Sequence, residues 1–249
     1  MGLTMSLCRL VHPNARTFMT LLYILGNVAD EAELTMSIDN AIIRALDPAR
    51  ISMVEITIPS SSFIEYNVSK ELSVGLNLTS LVKSIPKPKK SERVTVAADE
   101  EFYEFILEGD IVKRYRFRSI EVSPTNVPEL NLDFQVRALT LSSALRDVIK
   151  ELEGSDSIEF IAESAESIVL KASDLNAQAK LSKSGGSLIE LELKEPAKSV
   201  YDSDYLMKIA DLLSISDVIE LKYGSELPLS ISFKLADETL IKYLLAPKA

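Results

Sequence analysis

A single cysteine and a single histidine are all this chain offers of the two side chains that most often bind zinc or drive nucleophilic catalysis. Cys8 alone excludes an internal disulfide, and one thiol with one imidazole falls short of a zinc ligand set. Any serine–histidine chemistry would have to run through His12. Glycine is scarce too, at 8 residues, and no glycine-rich turn precedes a helix, so neither a dinucleotide fingerprint nor a P-loop is present. No apolar run approaches the ~20 residues that span a bilayer, and no basic stretch leads into a signal-like hydrophobic segment. The opening Met-Gly-Leu-Thr-Met-Ser has the form of an acylation signal, but a strand beginning at Ser6 would leave it no tether. These absences lead to the expectation of a soluble cytoplasmic protein that is not an enzyme and has no catalytic residue, metal or cofactor. Net positive charge is missing as well. At -10 the balance argues against simple adhesion to nucleic acid, so such binding would depend on where the basic residues sit.

What the chain does have is apolar content, 47% over 249 residues, enough for one large domain or two of about 120 residues with separate cores. The pattern favours two. Over 115–134 a strand gives way to Ser123-Pro124-Thr125-Asn126 and then Val127-Pro128. Two prolines four residues apart cannot lie inside one ladder, because each lacks an N–H. What precedes this crossing recurs after it. The first half reads as a strand over 6–12, then a helix capped by Asn14 with Ala15, Phe18, Met19, Leu22 and Leu25 on one stripe. Strands follow over 34–38, 41–46, 51–58 and 72–78, then a short helix over 78–85 stopped by Pro86, then strands over 93–97, 102–107 and 111–118. In the second half Leu130, Leu132, Phe134 and Val136 alternate, and a helix over 142–153 turns Leu145, Val148, Ile149 and Leu152 inward. Strands over 157–162, 167–172, 176–182 and 188–193, a helix over 203–213, and strands over 218–223, 229–235 and 240–245 complete it. Each half is therefore strand–helix–four strands–helix–strands. The fold class is α+β: two topologically similar domains of antiparallel sheets with two helices each, at 1–118 and 134–249, joined by a connector at 119–133.

Two local features stand out. In the strand over 51–58, Val54, Ile56 and Ile58 share a face, so Ile51 and Met53, with Leu46 upstream, point the other way. That is either an apolar patch on the wet side of a sheet or a bulge or covered segment. The densest carboxylate run is Asp99-Glu100-Glu101 with Glu104, at a hairpin turn, where a solvated face is the simpler reading than an acid–base or metal site.

Leu46-Asp47-Pro48-Ala49-Arg50-Ile51-Ser52-Met53, Tyr66, Gly75-Leu76-Asn77-Leu78-Thr79-Ser80-Leu81, Leu227-Pro228-Leu229 and the tail Tyr243-Leu244-Leu245-Ala246-Pro247-Lys248 are similar to the sliding clamps of DNA replication. The resemblance is to the proliferating cell nuclear antigen family in its archaeal and eukaryotic form, and it runs over essentially the whole chain. It implies the DNA clamp fold and a ring of three subunits, homotrimeric or heterotrimeric, whose helices face duplex DNA without reading its sequence. Such a processivity factor tethers DNA polymerase, ligase, flap nuclease and the clamp loader through their short peptide motifs. It acts at the nucleoid, or in the nucleus if eukaryotic, and not at a membrane. A monomeric β-rich adaptor that binds peptides without encircling DNA is the alternative.

Carried onto this sequence, the family's peptide pocket falls on Leu46, Ile51, Met53, Val127, Pro128, Leu132, Pro228, Leu245, Ala246 and Pro247. Thr125 stands where a larger aliphatic residue is expected, which implies a shallower connector wall. The DNA-facing set is Arg16, Lys83, Lys87, Lys89, Lys90, Arg146, Lys150 and Lys208. Asp147 and Asp211 lie near the same polar faces and the first helix offers only Arg16, so charge focusing rather than a fixed set of contacts is expected. Ring closure needs free sheet edges, and the candidates carry Lys113, Arg114, Tyr115, Arg116 and Arg118 in one half and Ala177, Ala179, Lys180 and Leu181 in the other. Both edges are basic, which motivates the expectation of a heterotrimer with a more acidic neighbour, as occurs in some archaea.

Overall fold

The computed structural model describes residues 7–122 and 132–248. The chain divides into two compact units, one drawn from Met1–Pro48, Glu55–Asn126 and Ala236–Leu240, the other from Ala49–Val54, Val127–Leu235 and Ile241–Ala249. Unit 1 contains β1 (Cys8–His12), α1 (Ala15–Val28), β2 (Glu31–Met36), β3 (Asn40–Leu46) and β4 (Ser52–Pro59, of which Glu55 onward belongs here). It continues with β5 (Glu65–Val68), β6 (Leu72–Asn77), α2 (Leu78–Ser84), β7 (Arg93–Ala98), β8 (Phe102–Glu108) and β9 (Val112–Arg118). Unit 2 contains β10 (Val136–Leu141), α3 (Ser142–Glu151), β11 (Ser157–Ser164), β12 (Ser167–Ala172), β13 (Ala177–Ser182) and β14 (Leu188–Leu193). Then come β15 (Ala197–Asp202), α4 (Ser203–Lys208), β16 (Val218–Tyr223), β17 (Leu229–Lys234) and β18 (Leu240–Leu245).

The two halves follow one plan. In unit 1 the strands run β5-β1-β7-β8-β9 in one sheet and β6-β2-β3-β4 in another; in unit 2 they run β14-β10-β16-β17-β18 and β15-β11-β12-β13. Each strand of unit 1 thus has a counterpart at the same place in unit 2, β9 with β18 and β4 with β13 among them. The resolved pairings are antiparallel, so short connections suffice. Five strands, not the expected four, separate the helices of each half, because β5 and β15 carry little apolar alternation. β5 is Glu-Tyr-Asn-Val, and the inward positions of β15 include Ser199 between Ala197 and Tyr201.

Helix ends follow local chemistry. Asn14 Oδ1 accepts from the Thr17 N–H and starts α1; Asn77 Oδ1 accepts from the Ser80 N–H and starts α2; Asp202 caps α4 in the corresponding place. α1 runs past the expected Leu25 to Val28, because Val28 extends the buried stripe. The helix expected over 203–213 is instead α4 followed by a 3-10 turn at Leu212–Ile215. The tighter i to i+3 bonding brings Leu212 and Leu213 into the core and lets the Ser142 hydroxyl donate to the Leu213 carbonyl.

His12 is a core residue. It is 3% exposed, its ring lies 5.6 Å from those of Phe18 and Phe63, and Nε2 is 3.3 Å from Asp237 Oδ2. That contact, with the Ser62 hydroxyl donating to the Asp237 carbonyl, fastens Ala236–Leu240 to unit 1. Cys8 is fully buried, and burial pushes its thiol pKa up. In unit 2 the core is centred on Phe160, edge-on to Tyr201 and Tyr223.

Candidate functional site

The C-terminal tail of unit 2 is pinned at both margins. The Ala246 N–H donates to the Ile51 carbonyl (2.9 Å) and the Lys248 N–H to the Val200 carbonyl of β15 (2.8 Å). Lys248 Nζ then reaches Asp156 Oδ2 (2.8 Å), the Asp156 carbonyl (3.0 Å) and Asp202 Oδ2 (3.7 Å), so the α4 cap and the tail share a carboxylate. The Asp156 hydrogen bond raises the Lys248 pKa. Ile51 is 38% exposed beside this tail, and Ala246, Pro247, Pro228 and Leu132 are half-exposed. Met53 departs from expectation. At 7% exposed it is covered, because Ser52, Met53 and Val54 are buried in succession where 49–54 joins unit 2. Leu245 is buried too, so it and Met53 support an apolar strip rather than line it. Leu46 ends β3 in unit 1, half-exposed; Thr125, Val127 and Pro128 lie outside the described residues.

Unit 1 repeats the tail's docking with the entry to the connector. The Ile120 N–H donates to the Gly75 carbonyl (3.1 Å), the Gly75 N–H to Ser119 Oγ (3.1 Å) and the Ser119 N–H to the Glu101 carbonyl (2.8 Å). Gly75 is the fourth residue of β6 as Val200 is of β15. The two exits from the repeat, connector and tail, therefore seat on matching strands. Sequence reading missed the Lys248–Asp156–Asp202 cluster and this seating, since both depend on pairs far apart in the chain.

Positive charge is distributed unequally. In unit 1 Arg16, Lys83, Lys87 and Lys90 are exposed, while Lys89 Nζ is 3.3 Å from Asp110 Oδ2. The loop that presents them is held from beneath by Glu92, 3% exposed, whose carboxylate accepts from the Lys89 N–H (2.8 Å) and from Lys113 Nζ of β9 (2.7 Å). In unit 2 Lys150 is exposed on α3, but Arg146 pairs with Asp147 (3.4 Å) and Lys208 lies over the Tyr205 ring at 4.2 Å. Exposed Asp147, Glu151, Asp204 and Asp211 share those helices and their ends. Elsewhere in unit 2, Arg137 is ringed by Glu190, Glu192 and Glu220.

The Lys113 hydrogen bond holds the Glu92 carboxyl below the usual carboxylate range against the opposing effect of burial. A lowered folded pKa means the stabilisation is complete above the unfolded value of about 4.3 and is lost as pH falls through the folded value. Glu92→Gln is expected to cost about 1–2 kcal/mol at neutral pH, one charge-assisted hydrogen bond, and to flatten that acid limb. Amide exchange over 87–91 should speed up at the same time. Melting curves from pH 3 to pH 7 check the first effect, and exchange mass spectrometry the second.

The hairpin carboxylates are engaged in the turn: Asp99 Oδ1 accepts from the Glu101 and Phe102 N–H groups, and Glu100 pairs with Lys70 at 2.8 Å. Among the described residues no group of three or more His, Cys, Asp or Glu is arranged to hold a metal. At the sheet ends, β9 and β13 each have a strand on one side only. Arg114, Arg116 and Arg118 of β9 are exposed, Lys113 is tied to Glu92, and Tyr115 is half-exposed. Along β13 Lys180 is exposed and Ala177 and Ala179 are half-exposed, while Leu181, 2% exposed, faces its own core and offers a neighbour only backbone.

One two-sheet, two-helix plan folded twice in a chain, with the same seating for connector and tail, is the architecture of a sliding-clamp subunit. Residues 11–126 match the family model described as proliferating cell nuclear antigen, N-terminal domain, and residues 132–248 the model of its C-terminal domain. The chain belongs to the proliferating cell nuclear antigen family. It is 32% identical over 243 residues to the DNA polymerase sliding clamp of Thermofilum pendens, covering 96% of this chain and 98% of that protein. It is 32% identical over 240 residues to DNA polymerase sliding clamp 3 of Sulfurisphaera tokodaii, covering 95% and 97%. The crystal structure of the PCNA2–PCNA3 complex from Sulfolobus tokodaii superposes with a TM-score of 0.88 at 32% identity, covering 96% of this chain and 99% of that one. PCNA from Thermococcus kodakaraensis gives 0.88 at 26%, covering 97% and 100%.

Proposed function

We propose that this chain is one subunit of a DNA polymerase sliding clamp, a three-membered ring that encircles duplex DNA and serves as a processivity factor rather than a catalyst. The observation that carries the ring is internal. In unit 2, β18 is flanked by 49–54, the opening of β4, through the Ala246–Ile51 hydrogen bond. β18 and β4 are the repeat counterparts of β9 and β13, each of which ends a sheet. A joint of that kind inside the chain is a template for one between chains, in which β9 of one subunit meets β13 of the next by strand addition. Boundaries at 1–118, 119–133 and 134–249 suit a connector that enters over β6. DNA contact is weak, sequence-independent and concentrated in unit 1, on Arg16, Lys83, Lys87, Lys89 and Lys90, with Lys150, Arg146 and Lys208 lesser contributors. Partner peptides from polymerase, ligase, flap nuclease and clamp loader dock in unit 2 along Ile51, Ala246 and Pro247, over Met53 and Leu245, with Leu132 and Pro228; the family resemblance adds Leu46, Val127 and Pro128 to the docking set.

The test is topological. In the assembled clamp, retention on closed circular DNA should survive gel filtration and be lost when the circle is cut. Lys83→Glu, Lys87→Glu and Lys90→Glu should each lower the slope of log affinity against log salt by about 1. Equal release from circular and linear DNA would refute encirclement and leave the peptide-binding adaptor.

A further inference from the structure

We infer that Lys248 is a positioning residue for partner peptides: its ammonium, held between two carboxylates, latches the tail so that the docking strip is seated before a peptide arrives. The inference rests on the docking reading above and adds what sets its affinity. After β18 ends at Leu245, the backbone of 246–248 can donate only twice, because Pro247 has no N–H. Both donors are used, Ala246 on Ile51 and Lys248 on Val200, one bond to each of two separate segments. Two single bonds are fewer than the three that hold the connector entry. The ion pairs of Lys248 make up the difference.

The receptor for that ammonium is fixed without the tail. Asp202 Oδ1 accepts from the Asp204 and Tyr205 N–H groups at the start of α4, which leaves Oδ2 for Lys248. Asp156 is held through its own N–H, which donates to Asp174 Oδ2 at 2.8 Å. Because Ser157 lies opposite Asp202 across β11 and β15, the neighbouring Asp156 brings a second carboxylate to the same strand end. The two stand 2.8 and 3.7 Å from one Nζ, and without a cation between them they are like charges gathered in one place. Pro247 carries the anchoring back to the strip. Its ring fixes φ, so where Lys248 is held sets how Ala246 and Pro247 face the peptide. A tail released at Lys248 can pivot on the single Ala246–Ile51 bond. A peptide then has to order it on binding, which lowers affinity in proportion to the seated fraction.

The latch is partly exposed, 31% at the Lys248 side chain and 80% at Asp156, so salt screens it. The probe is an uncharged synthetic peptide with aliphatic and aromatic anchors, capped at both ends. It is titrated by calorimetry into the full chain at about 50 and about 500 mM salt. Lys248→Met, which keeps the stem and removes the charge, should bind it about threefold to tenfold more weakly at low salt. Lys248→Arg should bind as the native chain does. Asp156→Ala combined with Asp202→Asn, the asparagine still able to cap α4, should match Lys248→Met. Native affinity should fall as salt rises and Lys248→Met affinity should not, although the peptide has no charge to screen. Amide exchange over 246–248 should speed up in the free Lys248→Met chain while its melting temperature holds. Native affinity in Lys248→Met overturns the latch and leaves the docking reading intact. So does a loss in Lys248→Met that the carboxylate variant does not share, since Lys248 would then act on the peptide directly. A native chain that fails to bind the peptide at low salt overturns the docking reading, and the latch with it.

Discussion

Ala246→Arg should weaken binding of a short synthetic peptide with aliphatic and aromatic anchors by at least about a hundredfold, or roughly 2.7 kcal/mol, while leaving the melting temperature nearly unchanged. Ala246 is half-exposed, and its backbone rather than its side chain makes the bond to Ile51. An arginine there can turn toward solvent in the free protein, so the fold is spared. An incoming peptide would instead have to displace or desolvate a guanidinium on an apolar strip, at the place where binding energy concentrates. Ile51→Asp should act in the same direction. Met53→Asp is a poor probe, because a carboxylate at a site 7% exposed destabilises the fold itself. Calorimetric titration decides the matter. Full peptide affinity in Ala246→Arg would remove the tail from the docking surface.

Gly75→Val is expected to lower stability by about 3 kcal/mol, a fall in melting temperature of roughly 6–12 °C for a chain of this size. A Cβ built on Gly75 would lie 2.0 Å from the Ile120 carbonyl oxygen and 2.7 Å from Val122 Cγ2. The first obstacle is backbone, not a side chain that can swing aside, so 119–122 must lift from β6. The hydrogen bonds of Ile120 and Ser119 to Gly75 go with it. The repeat supplies the control, since Val200 holds the same place in β15 and carries a side chain there. Val200→Gly should cost no more than about 1 kcal/mol. Scanning calorimetry of the two variants side by side checks the asymmetry; a Gly75→Val chain as stable as the native one would mean that the connector entry is not seated on β6.

Much of the doubled fold was legible because its signals are local. Asn14 and Asn77 cap their helices, Pro86 stops α2, and strands such as β2, β12 and β16 alternate without interruption. β5 and β15 escaped because a strand that packs serine, glutamate or asparagine against its neighbours has no apolar period to read. The break between α4 and the 3-10 turn was hidden by a continuous helical stripe from Tyr205 to Leu213, which tertiary packing overrides. Of the docking strip, the exposure of Ile51 followed from alternation, but the burial of Met53 did not. That depends on which unit claims 49–54, and two-residue periodicity carries no such information. The basic row of β9 was visible in sequence; that Glu92 removes Lys113 from it was not, because the two are separated by a whole hairpin.

The contact between His12 and Asp237 has a consequence for how such a protein can be taken apart. Each half of the gene encodes a body lacking a piece that the other half supplies: 236–240 complete the first, and 49–54 the second. Scission at the connector would still leave two polypeptides holding each other's missing segments. The halves are therefore expected to fold better when produced together than apart.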